Sequence, residues 1–164
     1  MKKILFILAA ATALVACNKN NPDSPEEQKK AAFAKANFFE VTGTNTVPSE
    51  QYTQDSVKAL VYVTENQFVT VELYGVGFSS RMPLTIDMSI EDIDCTRTAE
   101  RITLKGDSIV PMMGNRPFDR YIITNLSGYI TPDSLVIVNN YGSFENCKYA
   151  GKITKMLESS EKLD

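Results

Sequence analysis

The chain has no histidine and no tryptophan among its 164 residues. Without an imidazole it can form no Ser-His-Asp or Cys-His catalytic arrangement and no His-ligated zinc or haem site. It has three cysteines, too few for a disulfide-dense scaffold, and no Cys-x-x-Cys, Gly-rich phosphate loop or nucleophile elbow. Its longest apolar run, near the N-terminus, is about ten residues, half the roughly 20 needed to span a bilayer as a helix. Carboxylate, lysine, tyrosine and thiolate chemistry remain. At 43% hydrophobic and 23% charged, the composition is that of a globular chain, with a length suited to one domain.

Residues 1–16 read as a secretory signal: Lys2 and Lys3, an apolar stretch from Ile4, an Ala-rich segment, then Leu14-Val15-Ala16 before Cys17. These last four residues resemble the bacterial lipobox, which implies acylation of Cys17 as the first mature residue. Several acyl carbons at about 0.8 kcal/mol per buried CH₂ would make a durable anchor. Asn18 follows the cysteine in place of the Asp that marks inner-membrane retention, so the expected location is the bacterial outer membrane, with the leaflet open. Without Lys2 and Lys3 the chain carries 15 basic and 20 acidic residues, near −5. An acidic chain gains nothing from phosphate backbones, so nucleic acid is not an expected partner, and membrane association falls to the lipid.

Residues 17–54 are expected to hold the lipidated cysteine, a tether, a short helix and a linker. Ser24-Pro25-Glu26-Glu27 is a helix start, with Ser24 as N-cap, Pro25 in the first turn and Glu27 closing a capping box. The helix would run to about Asn37 as a solvated spacer, because Phe33 is its only large apolar residue before Phe38 and Phe39.

Residues 55–155 alternate with the period-two signature of strands. Val57, Ala59, Val61 and Val63 form one such face; Leu84, Ile86, Met88 and Ile90 form another. Further candidates are residues 69–73, 101–105, 108–112, 120–125, 126–131, 135–139 and 148–154. Turn residues punctuate them at Glu65-Asn66, Lys105-Gly106-Asp107, Gly114-Asn115, Thr131-Pro132-Asp133 and Tyr141-Gly142-Ser143. Eight or nine short strands at roughly ten-residue spacing, with no helical run between them, predict an all-β antiparallel barrel or sandwich. Residues 156–164 read as a polar C-terminal tail.

Several phrases carry a resemblance: Val71-Glu72-Leu73-Tyr74-Gly75-Val76-Gly77-Phe78, Met82-Pro83-Leu84, Gly106-Asp107-Ser108-Ile109-Val110-Pro111, Ile123-Thr124-Asn125-Leu126-Ser127-Gly128 and Tyr149-Ala150-Gly151-Lys152-Ile153. Their order resembles the calycin-like lipoproteins of Bacteroides-type bacteria over roughly residues 57–154. The resemblance implies a lipocalin-like antiparallel β-barrel of about eight strands and an envelope location; it supplies no activity and no binding residues. The lipocalin hallmark Gly-x-Trp is absent.

In such a barrel Met82, Met88, Met112 and Met113 are candidates to line an adaptable cavity for a small hydrophobic ligand; the alternative is a dry core filled by the same residues. Cys95 and Cys147 can pair in an oxidising envelope, closing a loop of about 50 residues worth roughly 4 kcal/mol, or stand as separate thiols. Asp92 and Asp94 share a strand face at a spacing near that of paired carboxylates, but the expected reading is a solvated rim. Arg97 and Arg101 could clamp an anion, with Lys105, Arg116 and Arg120 on the same rim, or serve as scattered solubilising charge. Tyr62, Tyr74, Tyr121, Tyr129, Tyr141 and Tyr149 would form a sugar platform if register set them in an outward row. No metal site and no cofactor is expected. The expected protein is a non-catalytic envelope lipoprotein that carries a small hydrophobic ligand in the barrel lumen; the alternative is a structural or adhesive, glycan-binding surface module. A carboxylate-pair hydrolase ranks last.

Overall fold

The computed structural model describes residues 24–64 and 67–158. The expected signal, Cys17, the turn at Glu65-Asn66 and the end of the chain lie outside these residues. Helix α1 (Pro25–Lys35) precedes β1 (Phe38–Val47), β2 (Tyr52–Val63), β3 (Phe68–Val76), β4 (Ile86–Arg97), β5 (Ile102–Gly106), β6 (Met112–Met113), β7 (Arg116–Pro117), β8 (Ile123–Ile130), β9 (Ser134–Tyr141) and β10 (Phe144–Leu157). All pairings are antiparallel. Around the sheet the order is β3-β2-β1-β10-β9-β8-β5-β4, and β4 returns to β3. Eight strands thus close an up-and-down barrel, with the β6–β7 hairpin hung on β4 through Ser89 and Met112. Closure satisfies the backbone groups that an open sheet would leave unpaired at its edges.

The period-two alternation decides which face is inside. Val57, Ala59 and Val61 of β2, Val69, Val71 and Leu73 of β3, and Leu135 and Ile137 of β9 are buried. Their neighbours point outward, and these include Lys58, Glu72, Asp94, Lys105 and Lys148. A lipid-facing barrel carries an apolar outer band; here charged side chains occur on strand after strand of the outer wall.

Two boundaries differ from expectation. The barrel begins at Phe38, not near Asp55, because β1 occupies the expected linker and supplies the closing seam with β10. Its Thr42-Gly43-Thr44-Asn45 core reads locally as loop, yet Gly43 lies opposite Gly151 across that seam. A Cβ on Gly43 would stand 2.5 Å from the Ala150 carbonyl oxygen, so this strand approach requires glycine. At the other end β10 continues to Leu157, taking in residues expected in the tail. The expected strands at 120–125 and 126–131 are a single strand, β8, broken in register by a bulge between Thr124 and Ser127 with Asn125 at φ 53°. Residues 108–112 contribute only an isolated bridge from Ile109 to Ile123 and one residue of β6.

Both barrel mouths are covered. At the end holding the α1–β1, β4–β5 and β8–β9 connections, α1 lies across the opening. Ser24 caps it, with the Glu27 N–H donating to Ser24 Oγ at 3.2 Å, as the capping box predicts. The helix is not the free spacer expected from its composition. Phe33 is fully buried and packs on Phe39 with ring centroids 5.7 Å apart. Burying one phenylalanine contributes about 2–3 kcal/mol. At the opposite end the β3–β4 loop folds Phe78 over the mouth. Its ring stacks on Tyr121 and Phe144, at 5.7 and 5.8 Å, and meets the edge of Tyr141 at 4.8 Å.

Candidate functional site

Between these covers the interior is filled. Val41, Ile90, Ile93, Leu104, Leu126 and Ile137 are among the buried residues that meet across it. The polar side chains enclosed there are satisfied: Asn45 Nδ2 donates to the Gly77 carbonyl at 2.7 Å, Tyr149 donates to the Val57 carbonyl at 2.9 Å, and Asn139 Nδ2 donates to the Asn140 carbonyl at 3.2 Å. Among the described residues no buried side-chain nitrogen or oxygen lacks a partner. Burial pushes the Tyr141 and Tyr149 phenols well above their ordinary range, because the ionised form would lose its water.

The four candidate methionines do not share a cavity. Met88 is buried in the core; Met82 turns its sulfur back to accept the Phe78 N–H at 3.2 Å. Met112 sits half-buried in the hairpin, and Met113 is exposed beside Arg116. Their spacing in sequence carried no information about which of them lay on an inward register position.

The cysteines lie on opposite sides of the barrel, toward opposite mouths. Cys95 lies near the end of β4 toward the α1 mouth, while Cys147 lies near the start of β10 toward the Phe78 mouth. Three strands intervene in either direction around the sheet. Both are free, buried thiols, so of the two alternatives they stand as separate thiols. Burial pushes Cys147 up to about 11, and burial also raises Cys95. Neither is poised as a nucleophile.

The arginine pair is divided as well. Arg97 turns under the barrel, where Nη2 donates to the carbonyls of Phe33 and Ala36, both at 2.6 Å, and Nη1 donates to Asn37 Oδ1 at 2.9 Å. It thereby caps carbonyls at the C-terminal end of α1 rather than clamping an anion. Arg101 instead lies over the Tyr129 ring at 4.1 Å. Asp92 and Asp94 both face solvent, with Asp92 in a bulge at φ 54° that also turns Glu91 outward. They form the solvated rim rather than a paired-carboxylate cleft.

The tyrosines are split by register between inside and outside. Tyr141 and Tyr149 point into the barrel, Tyr121 joins the aromatic cover, and Tyr129 lies under Arg101. Tyr62 and Tyr74 remain together on the outer wall, and their common partner is Glu72. Tyr74 donates to Glu72 Oε2 at 2.5 Å and Tyr62 reaches the same oxygen at 3.5 Å. The hydrogen bond to Glu72 raises the Tyr74 phenol far above its ordinary value; burial, then Glu72, raises Tyr62.

Glu72 and Tyr74 border an outer groove of about 280 Å³ between β3, β4 and the turn of the β6–β7 hairpin, lined also by Leu73, Asp87, Met88, Ser89, Glu91, Gly114 and Asn115. A β3 bulge at Gly75, φ 64°, frees a backbone N–H that Asp87 Oδ1 accepts at 2.7 Å. Ser89 donates to Glu91 Oε1 at 2.9 Å. The groove is therefore rich in acceptors with a few hydroxyl and amide donors, and Gly114-Asn115 forms its third side. Such a lining can take hydrogen bonds from ligand hydroxyls. Among the described residues no three acidic or sulfur side chains converge where a metal could sit. The sequence held one signal for this place, the alternating Glu72 and Tyr74 on one outward face, but not the hairpin that closes it. A shallower depression of about 490 Å³ lies over Thr42, Thr44, Ser134, Ala150 and Lys152. No family model, curated protein or solved structure matches the chain.

Proposed function

We propose that this chain is a lipid-anchored protein of the bacterial cell envelope whose calycin-like barrel performs no catalysis and recognises its ligand on the outer wall. Residues 1–16 direct export, acylated Cys17 holds the outer membrane, and the groove of Glu72, Tyr74, Asp87, Ser89 and Asn115 takes a hydroxyl-rich ligand such as a glycan.

The observation that carries this reading over that of a lumenal carrier is the packing of the barrel. A carrier needs an open cavity of several hundred Å³, whereas here the interior is side chain throughout the core and each mouth is covered by an aromatic residue, Phe33 or Phe78. The acidic balance of the mature chain suits neutral, hydroxyl-bearing ligands better than anionic ones.

The test pairs two measurements on purified residues 18–164. Native mass spectrometry reports any molecule retained in the lumen, and a glycan array followed by titration reports outer-wall binding. The expected result is a lipid-free mass and glycan binding reduced at least tenfold by Glu72→Gln with Asp87→Asn. A stoichiometric bound lipid, or glycan binding indifferent to both substitutions, overturns the reading.

A further inference from the structure

We infer that α1 is a releasable strap that sets how far the barrel can stand from its membrane anchor. This rests on the reading of Cys17 as the acylated residue. From Cys17 to Ser24 the chain can reach about 25 Å at most, so while α1 is docked the barrel floor stays close to the lipid surface.

The docking is built to give way before the barrel does. Of the eleven residues of α1, Phe33 alone is buried. Just beyond it Ala36 is buried as well, and the other holds are polar. Lys29 pairs with Asp133 in the β8–β9 turn, Lys30 with Glu100 in the β4–β5 turn at 3.3 Å, and Lys35 with Glu158 beyond β10 at 3.9 Å. All three pairs are solvent-exposed and therefore screened by salt. Arg97 is the central fastener, bonded to the last turn of α1 and over the Phe33 ring at 5.9 Å. Immediately afterwards the chain enters the barrel ladder: Asn37 N–H donates to the Leu157 carbonyl and Val63 N–H to the Asn37 carbonyl, both at 2.8 Å. The boundary between what can leave and what must stay falls at Ala36–Asn37.

An eleven-residue helix without tertiary contacts is marginal in water. Once off the floor α1 melts, and a segment rising about 1.5 Å per residue becomes one reaching up to about 3.4 Å per residue. Residues 24–36 then add about 45 Å of contour to the tether. The strap converts the loss of a few contacts into a large gain in reach.

Hydrogen exchange on the full chain in liposomes, read by mass spectrometry, tests this. Peptides covering residues 24–36 should exchange at least tenfold faster than those of β1 and β10, and faster again when salt rises from 50 mM to 1 M. Arg97→Ala should accelerate α1 exchange a further tenfold and leave β10 unchanged. Should that variant not fold, Lys29→Ala with Lys30→Ala, which alters only exposed side chains, should give a smaller acceleration of α1 alone. Exchange of α1 in step with the strands, insensitive to salt and to these substitutions, overturns the strap. Incorporation of an alkyne fatty acid, lost in Cys17→Ser, reports the anchor separately. Labelled protein with α1 locked to the barrel overturns the strap alone; unlabelled protein overturns the anchor, and the strap with it.

Discussion

The side-chain oxygen of Gln54 accepts the backbone N–H of Gly77 at 2.7 Å, while its Nε2 donates to the carbonyl of Gly75, also at 2.7 Å. One amide of β2 thus bonds the chain where the β2–β3 ladder has ended at Lys58 and Tyr74. The Gly77 carbonyl is taken in turn by Asn45. These three bonds aim the chain across the mouth and set Phe78 over it. A Cβ at Gly77 would lie 2.7 Å from the Tyr52 hydroxyl oxygen, so a larger residue there would displace the Tyr52 side chain.

Gln54→Ala removes both bonds and leaves two backbone groups of a partly buried segment unsatisfied, at a cost of about 2–4 kcal/mol. Urea unfolding should show the lower midpoint, and the β3–β4 loop should become the first site of limited proteolysis. Phe78→Ala, which empties the centre of the aromatic cover, should cost about 3–5 kcal/mol. Unchanged midpoints in both variants would remove the loop from the barrel's stabilising contacts.

Two glycines separate steric from conformational demand. Gly43→Ala drives a methyl into the Ala150 backbone at the closing seam, where neither strand can yield cheaply, and should cost more than about 3 kcal/mol. Gly114→Ala meets nothing within 4 Å and pays only for its φ of 61°, about 1 kcal/mol. Thermal melts of the two variants should rank in that order.

Cys95 and Cys147 should give no mobility change between reducing and non-reducing gels, and both should resist alkylation until the chain is unfolded. Rapid native alkylation of either thiol would contradict its burial.

Stability should be flat through neutral pH and fall on the alkaline side. Cys147 rises from an ordinary 9.0 to about 11 on burial, and burial raises Tyr141 and Tyr149 above their ordinary 10.0. In each case the unfolded chain releases its proton first, so the stabilisation is complete below about pH 9 and is lost as pH climbs through the raised values. Urea midpoints at pH 7.5, 9 and 10.5 measure it, and Cys147→Ala should flatten the portion between 9 and 11. A midpoint that rises with pH would reverse the sign.

Alternation along the chain identified most of the strands, since the inward valines and isoleucines repeat every second residue and need no tertiary information. The capping box at Ser24 and Glu27 located the helix start for the same reason, as both partners lie within one turn. β1 was hidden because Thr42-Gly43-Thr44-Asn45 has the composition of a loop, and its pairing with β10 spans more than a hundred residues of sequence.

The candidate residues divided along the same line. Arg97 looked equivalent to Arg101, Tyr141 to Tyr129, and Cys95 to a partner for Cys147. Each distinction depended on strand register and on which mouth a strand end reached, quantities fixed by barrel closure. The absence of histidine and tryptophan and the positions of the inward residues were properties of the sequence alone, because they depend on composition and local period. Where Phe33 and Phe78 come to rest was decided by the tertiary structure, because a closed barrel leaves two apolar mouths and these rings are positioned to cover them.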